Sequence, residues 1–231
     1  MLAPHCAQVT CAGATGSAFF VHSRFLLTAA HNVASLAIGD TVRVVGERVN
    51  HEAVLVVREP QDVPEQRVFP DVALLELDDD VGVPVTFDYD NVSAYEKCLS
   101  FGYPIATGEG GEHKTLEIEG QRYLDVGNID QYRLGFRDFR VVPGVSGSPV
   151  IRDSTGGVIG LLTLTRDRTK DEGGYATPVE FLVRAIPQLL EWQPKPTRNI
   201  ASPEEPVTGA APRRMLYSDA FARPNIHLPR A

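Results

Sequence analysis

The chain has 231 residues, of which 43% are apolar and 23% charged, enough apolar content for a packed core and too little charge for an acidic disordered chain. It carries 30 acidic against 22 basic side chains, for a net charge of -8, and no basic stripe of the kind that tracks a nucleic-acid backbone, so no nucleic-acid partner is expected. No apolar run approaches the roughly 18 residues of a membrane-spanning helix, so no membrane partner is expected; neither a basic nor a continuous apolar leader follows Met1, so the expected location is cytoplasmic.

The chain opens with two of its three cysteines, Cys6 and Cys11, and the third is Cys98. Three are too few and too odd in number for a disulfide framework. A Cys6–Cys11 bridge is conceivable, but reduced, buried thiols suit a chain without a leader better. Short runs rich in Val, Leu and Phe then recur at 17–21, 41–45, 53–57, 72–77, 97–101, 116–118, 132–136, 149–152 and 158–165, and Gly, Pro, Asn or Asp separates most of them. Many short strands at such spacing predict an all-β sandwich or barrel rather than βαβ units. A short helical turn is expected near 29–35. One helix is strongly signalled over 178–192: Thr177-Pro178-Val179-Glu180 reads as a capping box with Pro at the first helical position. Val179, Leu182, Ala185, Ile186, Leu189 and Leu190 follow at helical spacing, and Pro187 is expected to kink that helix or divide it.

After Trp192 the pattern changes. Seven of the 17 prolines fall in 194–231, which holds six basic and three acidic residues, whereas 1–193 holds 16 basic and 27 acidic ones. The segment reads as a Pro-rich, flexible, disordered tail. Its one apolar island, Met215-Leu216-Tyr217 with Phe221, offers a place for a regulatory protein partner.

Three segments carry chemistry. Phe25-Leu26-Leu27-Thr28-Ala29-Ala30-His31 is a strand running into a turn that ends in histidine. Asp71 stands at the mouth of the apolar run Val72-Ala73-Leu74-Leu75. Gly144-Val145-Ser146-Gly147-Ser148-Pro149 sets a serine between glycines ahead of another strand. Each segment alone is ordinary: a lone His is usually a satisfied side chain, a lone Asp a cap, and Gly-x-Ser-Gly a common loop. Together they supply what acyl transfer needs. A serine hydroxyl is a weak nucleophile until a base takes its proton, and the imidazole is held in the useful tautomer by a carboxylate. Glycine at 144 permits a turn in which the N–H groups of Gly144 and Ser146 aim at one spot, an oxyanion hole. This chemistry calls for no metal and no organic cofactor.

The order His31, Asp71, Ser146, with Thr28-Ala29-Ala30-His31, Asp71-Val72-Ala73-Leu74-Leu75, Phe101-Gly102-Tyr103-Pro104, Gly144-Val145-Ser146-Gly147-Ser148-Pro149 and Val158-Ile159-Gly160-Leu161-Leu162-Thr163, resembles the chymotrypsin-fold, trypsin-like serine peptidases in their bacterial, cysteine-poor form. The resemblance covers roughly 10–190. It implies two six-stranded antiparallel β-barrels, one over about 1–85 and one over about 93–177, forming a peptidase domain over 1–193 with its C-terminal helix. His31 and Asp71 would come from the first barrel and Ser146 from the second. It implies an edge strand, Thr163, Leu164 and Thr165, to which a protein or peptide substrate adds its backbone. It also implies a primary pocket lined by residues 138–143, including Arg140, Val141, Val142 and Pro143, with Gly174 in another wall. Within that pocket Arg140 would favour an acidic side chain and Asp138 a basic one, and both could equally face solvent. The lack of a leader, the odd thiols and the appended tail predict an intracellular enzyme with a restricted protein substrate, and related peptidase domains in bacterial defence systems imply, by analogy, a role in such a system. A peptidase fold that only binds peptides and an esterase using the same three residues are the rival readings.

Two positions depart from the family pattern. Asn32 stands where secreted animal members have Cys. Val145 stands where many members have an Asp that pairs with a freshly cut N-terminus, so that ion pair cannot form here. The site is therefore expected to be either preformed or switched by a partner or by the tail.

Overall fold

The computed structural model describes residues 2–60, 69–107, 110–124, 129–135, 142–165 and 173–193. Six strands, β1 (Cys6–Cys11), β2 (Ala14–Phe20), β3 (Phe25–Thr28), β4 (Thr41–Gly46), β5 (Asn50–Glu59) and β6 (Val72–Glu76), close a barrel in the order β1-β2-β3-β6-β5-β4. Six more, β7 (Lys97–Gly102), β8 (Glu112–Leu124), β9 (Ile129–Gly135), β10 (Pro149–Arg152), β11 (Val158–Thr165) and β12 (Gly174–Pro178), close a second in the order β10-β11-β12-β9-β8-β7. Shifting every label by six maps one order onto the other. All twelve pairings are antiparallel. The resemblance therefore carried the fold class correctly.

Strand character follows from which faces are buried. In β4, Thr41 and Arg43 are exposed while Val42 and Val44 are buried, the alternation of a strand with one wet face. Strands β3 and β6 read as unbroken apolar runs because both their faces are covered. Leu26, Ala73 and Leu75 join Phe20 and Leu55 inside the first barrel. Leu27, Val72 and Leu74 point the other way, into a cluster with Phe19, Phe101, Leu161 and Leu182 that cements the two barrels together. The strands that deliver His31 and Asp71 are thus the ones pressed against the second barrel.

The connection between barrels is pinned by Arg152, whose side chain is 5% exposed. Its guanidinium meets Asp88 at 2.6 Å and Glu96 at 2.5 Å and donates to the carbonyls of Asp90 and Asn91. Gln193 makes a second stitch. It donates to the carbonyls of Val21 and Val85 and accepts from the N–H of Phe87.

The expected short turn after β3 is a 3-10 helix, Ala30–Val33. Pro187 divides the C-terminal helix into α1 (Val179–Ala185) and α2 (Leu189–Trp192). The capping box is corrected: α1 starts at Val179 with Pro178 at its N-cap and no side-chain cap. The Thr177 hydroxyl is spent elsewhere, donating to the Pro70 carbonyl at 2.6 Å in a buried bond. All three cysteines are free and buried; burial pushes the Cys6 thiol well above its ordinary range and that of Cys98 up to about 12. The 194–231 segment lies outside the described residues.

Candidate active site

Asp71 is the first residue ahead of β6. It adopts φ +52°, a left-handed conformation that Asp tolerates better than most residues. Its side chain is 1% exposed, and both carboxylate oxygens are occupied by one neighbour. One oxygen accepts from the backbone N–H of His31 at 3.0 Å, and the other meets His31 Nδ1 at 2.8 Å. The second contact is a bond when Nδ1 carries the proton, and Nε2 is then the proton-free nitrogen of the ring. The Thr177–Pro70 bond reaches across from the second barrel and holds the residue immediately before Asp71.

Ser146 lies in a turn bracketed by Val145 N–H to Val142 O at 3.4 Å and Ser148 N–H to Val145 O at 3.1 Å. Its carbonyl accepts two bonds from the first barrel, from the Ser17 N–H at 2.8 Å and from Asn32 Nδ2 at 2.9 Å. Asn32 directly follows His31, so the serine and the imidazole are joined through neighbouring groups. Asn32 is buried and also donates to Thr28 Oγ1 at 3.0 Å. The residue at the family's cysteine position here bonds the nucleophile turn with an amide. The Ser146 hydroxyl donates to the Thr163 carbonyl at 3.2 Å.

Two glycines make this turn possible. Gly147, at φ +91°, passes so close to β2 that a Cβ there would stand 1.9 Å from the Ser17 carbonyl oxygen. Gly144, at φ +100°, would set a Cβ 2.4 Å from the Tyr103 carbonyl oxygen. The Pro143 carbonyl accepts from the Ile105 N–H at 3.0 Å. In a trans peptide the C=O and the next N–H point in opposite directions, so this anchor turns the Gly144 N–H away from Ile105. Among the described residues no acceptor takes the N–H of Gly144 or of Ser146. Val145 is 3% exposed and packs with Cys98, Leu116, Ile118, Val150, Ile159, Leu162 and Ala176. An apolar anchor thus occupies the position of the family's ion-paired Asp.

Of the expected substrate-binding residues, Thr163, Leu164 and Thr165 lie in β11 beyond its pairing with β10. There they face β12, with Leu164 opposite Tyr175 and Thr165 opposite Gly174. Thr163 is buried, and its hydroxyl donates to the Tyr175 carbonyl at 3.3 Å. Gly174 is buried, Val142 half-buried and Pro143 exposed. Arg140, Val141 and Asp138 lie outside the described residues. Among the described residues no three His, Cys, Asp or Glu side chains gather as metal ligands, and no helix is long and apolar enough to cross a membrane.

Sequence reasoning did not single out Ser17, nor the bonding roles of Thr177 and Asn32. The available signal was a serine at the head of the run Ala18-Phe19-Phe20, a polar group that burial obliges to find partners.

A search of curated proteins found no match. The fold is similar to that of the Rv3671c protease of M. tuberculosis in its active form, at 20% identity and TM-score 0.66 over 84% of each chain. It is similar to the HtrA-type protease AlgW, solved with a tripeptide, at 22% identity and TM-score 0.66 over 82% of this chain and 61% of that one. It also resembles the serine endoprotease of Yersinia pestis, at 19% identity and TM-score 0.61 over 82% of this chain and 64% of that one. Residues 16–161 match the trypsin-like peptidase domain family. That span contains His31, Asp71 and Ser146 and more than half of the sequence, so the chain belongs to the trypsin-like peptidases and is a serine endopeptidase.

Proposed function

We propose that the enzyme cleaves its substrate through Ser146, His31 and Asp71 by way of an acyl-enzyme. The observation that carries this reading is the pair of bonds from Asp71 to the backbone and ring of His31, across the crevice from a serine whose turn leaves two N–H groups unspent. The substrate backbone adds to the edge at Thr163, Leu164 and Thr165. The Ser146 hydroxyl leaves the Thr163 carbonyl and turns to Nε2 of His31. Its oxygen attacks the scissile carbonyl while the imidazole takes its proton, and Asp71 stabilises the imidazolium. The Gly144 and Ser146 N–H groups hold the oxyanion. As the C–N bond breaks, His31 gives that proton to the leaving amine. Water, deprotonated by the same imidazole, then releases the acyl group as a carboxylic acid and restores the serine.

The preformed anchor of Pro143 on Ile105, with Val145 in an apolar seat, supports a site that needs no N-terminal clipping. Three free buried thiols support a reducing, intracellular setting, and a peptidase that works among intracellular proteins needs a restricted protein substrate. Ser146→Ala should lower kcat on a cleaved peptide by about 10⁶ with the fold intact. Wild-type turnover by that variant would remove Ser146 from the reaction. Incubation with proteins encoded beside the enzyme tests the restricted-substrate part: cleavage of none of them, with peptides still cut, would contradict it.

A further inference from the structure

We infer that Ser17, on β2 of the first barrel, is a positioning residue for the oxyanion hole of the second. The inference rests on the peptidase reading above. Ser17 is fully buried amid Ala18, Phe19 and Phe20, where a hydroxyl persists only if its bonding capacity is used. Here it is used twice. Ser17 Oγ donates to the Gly144 carbonyl at 2.7 Å and accepts from the Tyr103 N–H at 2.9 Å. The same residue's backbone N–H donates to the Ser146 carbonyl, and its carbonyl accepts from Thr28 Oγ1 at 2.7 Å.

These bonds hold Gly144 from both sides. The peptide before it is fixed by Ile105 N–H on the Pro143 carbonyl, and the peptide after it by Ser17 Oγ on its own carbonyl. Glycine at φ +100° has wide freedom of its own, so the direction of the Gly144 N–H is set by these two anchors. The Ile105 anchor comes from the segment after β7 in the second barrel itself. Only the Ser17 anchor crosses from the barrel that carries the base. It also ties in Tyr103, two residues before Ile105. A single hydroxyl therefore couples the closure of the two barrels to the geometry of the hole.

Ser17→Ala removes that hydroxyl while keeping the backbone bond to Ser146. The Gly144 carbonyl then lacks this donor and the Tyr103 N–H this acceptor. On a fluorogenic peptide that the wild type cleaves, kcat should fall by roughly 10- to 100-fold, less than the loss of a whole oxyanion donor, with KM within about twofold. Binding of a peptide aldehyde, whose hemiacetal oxygen occupies the hole, should weaken by the same factor, and binding of the matching product peptide should not change. A merely structural role would lower thermal stability without this split. Should Ser17→Ala fail to fold, Ser17→Cys supplies a weak donor of similar shape, and its kcat should fall while KM holds. Wild-type kcat and aldehyde affinity in a folded Ser17 variant would overturn the inference. Ser146→Ala, measured alongside, keeps the two failures apart. If it retains activity, the peptidase reading itself falls; if it is dead while the Ser17 variants turn over normally, only the role of Ser17 is lost.

Discussion

The two barrels hold the groups of the proposed triad in different ways. In the first, the base is oriented locally: Asp71 and His31 belong to the same barrel, and one carboxylate binds both the ring and the backbone of the histidine. In the second, the nucleophile is oriented from outside. The carbonyls of Gly144 and Ser146 are both gripped by residues of the first barrel, Ser17 and Asn32. The base thus depends chiefly on one buried carboxylate shared by its ring and its backbone, and the nucleophile on the fit between barrels. Damage to the first should appear as chemistry lost at constant fold, and damage to the second as chemistry and stability lost together.

The sharpest way to break this contrast is at Asp71. Asp71→Asn keeps the shape but favours the wrong imidazole tautomer, and should lower kcat by about 10⁴ with a small change in melting temperature. A large loss of stability with modest loss of kcat would show that the carboxylate serves packing instead. On the other side, Asn32→Ala removes one of two donors to the Ser146 carbonyl and leaves the Ser17 N–H in place. It should cost about 1–2 kcal/mol of stability and reduce kcat several-fold in the same variant; a stable variant with wild-type kcat would mean that the amide bond is idle.

The smallest effect concerns the connection between barrels. Burial pushes the Asp88 carboxyl up, but the bonds from Thr155 and the Asp90 N–H and the Arg152 guanidinium together outweigh it and hold it below its ordinary value. A carboxyl with a lowered folded-state pKa contributes stability above its unfolded value, near 3.9, and loses that contribution as pH falls through the lower folded value. Asp88→Asn should therefore cost about 1 kcal/mol at neutral pH, with Arg152 still paired to Glu96, and the gap to wild type should close as the pH drops below about 4. Thermal melts of both proteins across that range check this. A gap that stays constant would mean that the Asp88 charge contributes nothing.

How much of this was legible depended on whether a signal was local. Strands β10 and β11 fall on the expected 149–152 and 158–165 because β-branched and apolar residues with flanking turns decide them locally. The closely spaced glycines Gly144 and Gly147 disclosed the nucleophile turn for the same reason. Strand β1, Cys-Ala-Gln-Val-Thr-Cys, lacks bulky apolar residues and is defined by its partners β2 and β4. Thr177 was misread because its capping signature is local while the Pro70 carbonyl that claims its hydroxyl is 107 positions away. Ser17 was overlooked on similar grounds: its partner Gly144 is 127 positions distant. The proposed triad stands out in the sequence because its residue types are chemically demanding. The residues that position it are ordinary, and only the docking of the two barrels gives them a task.

The central claim is that Ser146 is a nucleophile activated by His31 beside a preformed oxyanion hole. Its most direct measurement is intact-protein and peptide mass spectrometry after exposure to a fluorophosphonate probe. One adduct is expected, on Ser146, formed by the unclipped protein and lost in His31→Ala. Labelling at another residue, or a folded wild-type protein that takes up no probe until its N-terminus is cut, would contradict it.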